Sequence, residues 1–546
     1  MSDSTLEPSS VSAAAASPAS APESRPKRFL NLFTVHSAVS VLNFLTYLVA
    51  SILSIALFVF LNSSQGFVLG QIINLPTSQL GSATGSLTFY DELLTIPMVW
   101  VWGVASDRVG RAWVYGLGFL FMGLALVLYT YAQNVFPALL LFRLIFSLGA
   151  AAASSMLTAV LADYADDQDR GKIAGLVGAM SGVGALVALF GFLRIPTLFP
   201  DPLQGLRITH FIVGGFSIVF GLFAMYALRI KRRDTKPLVS VGTLDQALPA
   251  DHPPVHDPSA SCPVVPHDST PSRAKTAADL MRTSLAGFRA AADGKVLLGY
   301  IGGFLARGDT IIITIFLPLW IYKYYIKTGL CPGESDYNDP NIDVNCRQAY
   351  LTASVLGGVA QTLALIGAPI FGWLSDRLYR PIVTMIASVI GFAGYFAMFL
   401  TTNPTSSAMY GVVCLVGLGE IGMIVSSLSL VTSKAVPHSV RGSVAGMYSL
   451  FGAVGILINS KLGGYLFDAW TEGSPFFVMS IGHAISFVVA IVVIFSDIRQ
   501  LRKQNSLQSA DSESALINAE SPSRKEGLLS RLKRRQNEQA ELSIYS

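Results

Sequence analysis

The sequence predicts an all-α membrane protein in which twelve transmembrane helices form two six-helix halves related by pseudo-symmetry. Three observations carry that prediction. The 546 residues are 52% hydrophobic and only 13% charged, with a mean hydropathy of +0.52, about half the charge with which a soluble domain covers its surface. Apolar runs of about 20 residues, enough to cross about 30 Å of hydrocarbon, recur along the chain. Two short motifs of the first half return in the second at nearly constant spacing. A β-barrel would need alternating segments of about ten residues, and none are present. A net charge of +4, with no basic tract interleaved with aromatics, excludes a nucleic-acid partner.

Residues 1–34 are rich in Ser, Ala and Pro at their start and lack the apolar core and cleavage site of a signal peptide, so they read as a disordered cytosolic tail. From Phe29 to Tyr90 there is no Asp, Glu, Lys or Arg, and spans are read at Val39–Leu61 and Thr84–Val104. Spans at Trp113–Tyr131, Ala138–Leu161, Ile173–Leu193 and Ile208–Leu228 complete a first half over residues 35–230. Residues 231–294, rich in Pro, Ser, Asp and His, read as a disordered cytosolic linker. The second half, residues 295–495, holds spans at Val296–Trp320, Ala349–Phe371, Ile382–Leu400, Ala408–Val431, Val444–Leu466 and Phe476–Phe495. Residues 496–546 read as a disordered cytosolic tail.

Orientation follows from basic residues, which favour the cytosolic side. With both termini inside, the inner loops carry Arg108 and Arg111, Arg170 and Lys172, Arg377 and Arg380, and Lys434 and Arg441. The sequon Asn62-Ser63-Ser64 then falls on the outer side, which makes Asn62 a candidate glycosylation site. Cys331 and Cys346 share one polar loop, and a disulfide between them is expected if that loop faces outside or a lumen. Trp320, Tyr322, Tyr324 and Tyr325 read as an interfacial belt, and Lys461 as a snorkelling side chain.

The repeated motifs lie in inner loops. Gly103-Val-Ala-Ser-Asp107-Arg108-Val-Gly110-Arg111 follows the second span, and Gly372-Trp-Leu-Ser-Asp376-Arg377-Leu-Tyr379-Arg380 follows the eighth. Arg170-Gly171-Lys-Ile-Ala-Gly175 follows the fourth, and Arg441-Gly442-Ser-Val-Ala-Gly446 the tenth. Both pairs are about 270 residues apart, as in transporters built from parallel repeats.

At these residues the chain resembles the major facilitator superfamily. The first copy looks like the family's inner-gate motif, and the second departs from it at Tyr379, where Gly is usual. Arg143-x-x-x-Ser147-x-Gly149-x-Ala151 is similar to the family's arginine motif, with Ser in place of the first Gly. The resemblance covers about residues 35–495, with the general look of fungal members of the drug and metabolite branch. It implies secondary active transport of a small organic solute by alternating access. It also implies that Asp107 bonds the inner end of the eleventh span, near Gly442–Val444, when the cytosolic side is shut. Free N–H groups and the helix dipole favour a carboxylate there, and Arg108 and Arg111 supply contacts that break and reform. Positive-inside anchoring explains the two arginines equally well, but not Asp107. The fifth span lacks the Gly-Pro motif of the family's antiporters, which counts against drug–proton antiport.

Charges inside spans cost several kcal/mol unless they face water or a partner. Asp91 and Glu92 lie in span two, Arg143 in span four, Arg307 and Asp309 in span seven, and Glu420 in span ten. At about 1.5 Å per residue, most of them fall between the midplane and the outer third, which points to a central cavity. Arg307 and Asp309, two residues apart, point about 200° away from each other on a helix. A cavity carboxylate near Arg143 can exchange a proton as its surroundings alternate between water and protein. These six residues are therefore candidates for binding solute and coupling protons; the alternative is a set of structural ion pairs.

No nucleotide-binding loop, metal spacing or nucleophile–base constellation occurs, and His36, His210 and His483 stand isolated. No cofactor and no enzymatic activity are expected. A non-transporting sensor on the same fold is the competing reading. The plasma and vacuolar membranes are both open, and a monomer is expected.

Overall fold

The computed structural model describes residues 27–29, 33–35, 39–164, 170–229, 286–329, 342–433 and 440–519. Its helices are α1 (Val41–Ile72), α2 (Leu80–Val109), α3 (Arg111–Tyr129), α4 (Leu140–Tyr164), α5 (Arg170–Leu186) and α6 (Pro202–Ala227). After the linker come α7 (Gly294–Lys327), α8 (Ile342–Arg377), α9 (Arg380–Leu400), α10 (Ala408–Val431), α11 (Arg441–Ala469) and α12 (Ser474–Ala519). Eleven helices are long and apolar enough to cross a membrane. The twelfth, α2, has the length at 30 residues, but Asp91, Glu92 and its Ser and Thr residues make it the least apolar of the set.

Packing repeats between the halves. In the first, α3 lies on α4 and α6, α2 on α4, and α1 on α5; in the second, α9 lies on α10 and α12, α8 on α10, and α7 on α11. The halves meet through α2 on α11 and α5 on α8, a pair of contacts that the same symmetry interchanges. Gly110, at φ 103°, turns the chain between α2 and α3 in a conformation that favours glycine.

The end carrying Arg108 and Arg377 is called inner, following the basic-residue asymmetry. The outer ends of the halves are in close contact. A Cβ on Gly81 would meet the Gly464 carbonyl at 2.6 Å, and one on Gly66 would meet Leu319 at 2.8 Å. Ser63 donates to the Thr314 carbonyl at 3.0 Å, and Tyr350 to Gln71 at 2.6 Å. At the inner ends, Gly175, Gly178, Gly442 and Gly446 face open space. The halves are thus held together at the outer end, and none of these four inner glycines is in a comparable contact.

Several expectations are corrected. The first span does not stop at Leu61; α1 continues to Ile72, so Asn62 lies within the helix, 1% exposed, and is no acceptor for a glycan. Trp320, Tyr322 and Tyr325 are buried rather than interfacial: Tyr322 packs on Phe67 and Trp320 on Phe476, sealing the outer end. The carboxy-terminal tail begins as helix, since α12 runs on to Ala519. Within the amino-terminal tail, Lys27–Phe29 pairs with Phe33–Val35 as an antiparallel ladder. The linker is ordered at its end, where Tyr300 donates to the Gly287 carbonyl at 2.8 Å; residues 230–285 lie outside the described set. Cys346 is buried and disulfide-bonded, while Cys331 is outside the described residues.

Candidate functional site

The first half is organised around one buried cation. Arg143 on α4 is 0% exposed, and its guanidinium is shared between α1 and α2. Nε donates to Asp91 Oδ2 at 3.0 Å, Nη2 to Asn62 Oδ1 at 2.8 Å and to Thr88 at 3.4 Å, and Nη1 to Gln65 Oε1. The Arg143–Asp91 ion pair closes at 2.9 Å. Ser147, one turn further along α4, donates to the Asp91 carbonyl at 3.0 Å. A fork with several donors matches this many acceptors where an ammonium could not. Burying the pair is tolerable because further guanidinium N–H groups are bonded to Asn62, Gln65 and Thr88.

Glu92 lies about 100° around α2 from Asp91. It is half-buried, and the charges that act on it are Asp91 and Arg307. Arg307 is exposed on α7, against Gly452 of α11, while Asp309 is fully buried. Helix α7 is continuous through Gly308, so the two side chains take opposite faces. Asp309 instead meets His483 of α12 at 3.0 Å, with the Tyr395 ring stacked on the imidazole at 5.5 Å. His483 is therefore not isolated, and neither is His210, which lies 3.3 Å from Ser64. Glu420 on α10 is 3% exposed and accepts from Thr310 at 2.8 Å and Gln361 at 3.0 Å.

The six intramembrane charges thus divide into a buried Arg143–Asp91 node, a buried Asp309–His483 pair, a hydrogen-bonded Glu420, and two groups, the half-buried Glu92 on α2 and the exposed Arg307 on α7, one in each half. Among the inner-gate residues, Asp107 is 70% exposed and, among the described residues, pairs within its own half, with Arg111 at 3.5 Å; Arg111 also binds Asp163. Arg108, Asp376 and Arg377 are exposed, Arg377 over Trp373, and Arg380 donates to the Ser429 carbonyl at 2.8 Å. Lys461 leans along α2 to Ser86 at 2.7 Å.

Gln65, Thr88, Gln361, Thr310, His483 and Tyr395 were absent from the sequence-derived set. Two of the signals were local. Asn62 and Gln65 are amides at i, i+3 in a charge-free run, and Thr84, Thr88 and Asp91 form an i, i+4, i+7 stripe. Nothing local marks His483, which is 174 residues from Asp309.

Magnetosome protein MamH of Paramagnetospirillum magneticum is 21% identical over 442 residues, covering 80% of this chain and 88% of MamH. MamZ of the same organism is 24% identical over 431 residues, and the match spans 58% of its length. The crystal structure of the nucleoside transporter NupG aligns with a TM-score of 0.54 at 16% identity, over 83% of this chain and 98% of NupG. That of the D-xylose-proton symporter aligns with a TM-score of 0.53 at 14% identity, over 82% and 96%. The family model of the Major Facilitator Superfamily matches residues 39–458 and, separately, 299–537. With the repeated packing of its halves and the inner-loop motifs, the chain belongs to the Major Facilitator Superfamily.

Proposed function

We propose that the protein is a secondary active transporter that moves a small organic solute, metabolite or drug-like, by alternating access and couples that movement to protons. The observation that carries this reading is the placement of Glu92 on α2 and Arg307 on α7, two intramembrane charges of opposite sign in different halves, neither in an ion pair among the described residues, in a molecule whose halves are in close contact at the outer end. Charges so placed are available to a solute or a proton, whereas the Arg143 guanidinium is bonded to four side chains and holds α1, α2 and α4 in place. Asp107, exposed in this state, is free to engage α11 when the inner end closes. The proton-coupled and solute-transporting relatives of this fold support the class of cargo. The basic-residue asymmetry supports cytosolic termini in a plasma or vacuolar membrane, and the bundle works as a monomer.

The first test is a thermal-shift screen of the purified protein against metabolites and drugs at two pH values. A ligand at 100 times its Kd stabilises the folded state by about 2.7 kcal/mol. With a hit in hand, Glu92→Gln is expected to lower pH-driven uptake into proteoliposomes at least about tenfold while leaving the melting temperature near that of the wild type. Unchanged uptake in both Glu92→Gln and Asp91→Asn would sink the coupling.

A further inference from the structure

Helices α2 and α11 run antiparallel, and at the outer end one caps the other. The Asp468 carboxylate, in the last turn of α11, accepts the Gly81 N–H at 2.9 Å through Oδ1 and the Ser82 N–H at 2.6 Å through Oδ2. These are first-turn amides of α2, and Gln79, the N-cap residue of α2, supplies no side-chain cap of its own. The cap thus comes from the other half of the molecule.

The inner end of the same pair has the same parts, with no bond between Asp107 and the start of α11 among the described residues. Helix α11 begins Arg441-Gly442-Ser443, its N-cap residue Val440 makes no side-chain hydrogen bond, and a Cβ on Gly442 would meet nothing within 4 Å. In the last turn of α2, Asp107 is 70% exposed. The two helices are also matched in length. Asp107 lies 26 residues after Gly81, and Asp468 lies 26 residues after Gly442, or about 39 Å along each axis. Two antiparallel rods of equal span, each with a Gly-Ser start and an aspartate at the finish, can engage at either end. The internal repeat does not account for this, because it relates α2 to α8 and α11 to α5.

We propose that Asp468 is the outer latch of the molecule and that it alternates with Asp107. In the state described here Asp468 caps α2 and Asp107 pairs with Arg111; when the halves rock, Asp468 releases Gly81 and Ser82 as Asp107 takes the amides of Gly442 and Ser443. Each half-cycle exchanges one charge-assisted helix cap for another of the same kind, so neither end-state is favoured by its latch alone. Close approach at Gly81, Gly85 and Gly464 lets Asp468 reach the α2 terminus. The proposal rests on the alternating-access reading.

The test is amide hydrogen exchange, read by mass spectrometry on the full-length protein in detergent, for the wild type and for Asp468→Ala, Asp468→Asn and Asp107→Ala. For Asp468→Ala, exchange over residues 81–86 is expected to rise about tenfold and exchange over residues 442–449 to fall, as the population moves to the inner-closed state. Asp468→Asn, which keeps an acceptor but no charge, shows the same pattern at smaller amplitude. Asp107→Ala shifts exchange at the two ends in the opposite directions. If Asp468→Ala affects residues 81–86 alone while Asp107→Ala moves both ends, Asp468 is a local cap and the latch is overturned with alternating access intact. If neither variant moves its far end, rocking is absent and both readings fall.

Discussion

Replacing Arg143 with leucine is expected to destabilise the protein by about 3–5 kcal/mol and to abolish transport, the largest effect of any single change in the molecule. The substitution removes the cation bonded to Asp91 and takes a donor away from Asn62, Gln65 and Thr88. Most of the loss comes from Asp91, left as a buried, uncompensated charge. Two further variants separate charge from geometry. Arg143→Lys keeps the charge but cannot span α1 and α2 with three donors on one nitrogen, so it recovers only part of the stability. The double change Arg143→Leu/Asp91→Leu removes both ions and is expected to melt close to the wild type while remaining inactive, because well-packed apolar pairs can replace buried ion pairs. Thermal melting in detergent decides the matter: an Arg143→Leu protein that melts with the wild type contradicts the node's structural role.

Gly85→Val is expected to reduce transport at least a hundredfold while leaving the fold intact. A Cβ at Gly85 would lie 3.1 Å from Gly464 Cα and closer still to the Ser460 carbonyl, both backbone atoms that cannot swing away. The obstruction exists only while α2 and α11 are in contact at the outer end, so the variant should accumulate with that end open. Gly215→Val is the control, since a Cβ there meets nothing within 4 Å. Exchange over residues 81–86 and 456–464 should rise in Gly85→Val and not in Gly215→Val. Equal transport by the two variants contradicts the requirement for close outer contact.

Eleven helices apolar enough to span, and the scarcity of charge within them, were legible in the sequence because hydrocarbon thickness sets the length of an apolar run. The division of labour among the charges was legible only in part. That Arg307 and Asp309 take opposite faces follows from helix geometry, but which partner each finds does not, because His483 approaches from a helix distant in sequence. The end of α1 was misplaced because apolar content falls after Leu61. Asn62 and Gln65 are polar yet buried, held there by an arginine on another helix. The aromatic residues of α7 were misassigned for a related reason. Composition alone cannot separate a ring lying at the membrane–water boundary from one clamped between two halves that touch.

The weak apolar character of α2 bears on how the protein is made. Aspartate at the centre of a helix opposes entry into the bilayer by about 2.5–3.5 kcal/mol, and α2 carries Asp91 with Glu92 beside it. Its counter-charge, Arg143, is 52 residues downstream and is itself unwelcome in lipid. Helix α2 is poorly suited to insertion alone, whereas α4 is apolar enough to enter the bilayer and brings the counter-charge, so that together they present a neutral, hydrogen-bonded unit to the translocon. Integration of α2 should therefore be delayed until α4 has been synthesised. A nascent chain cut after Tyr129 is expected to leave α2 extractable from membranes by alkali, and one cut after Tyr164 to retain it.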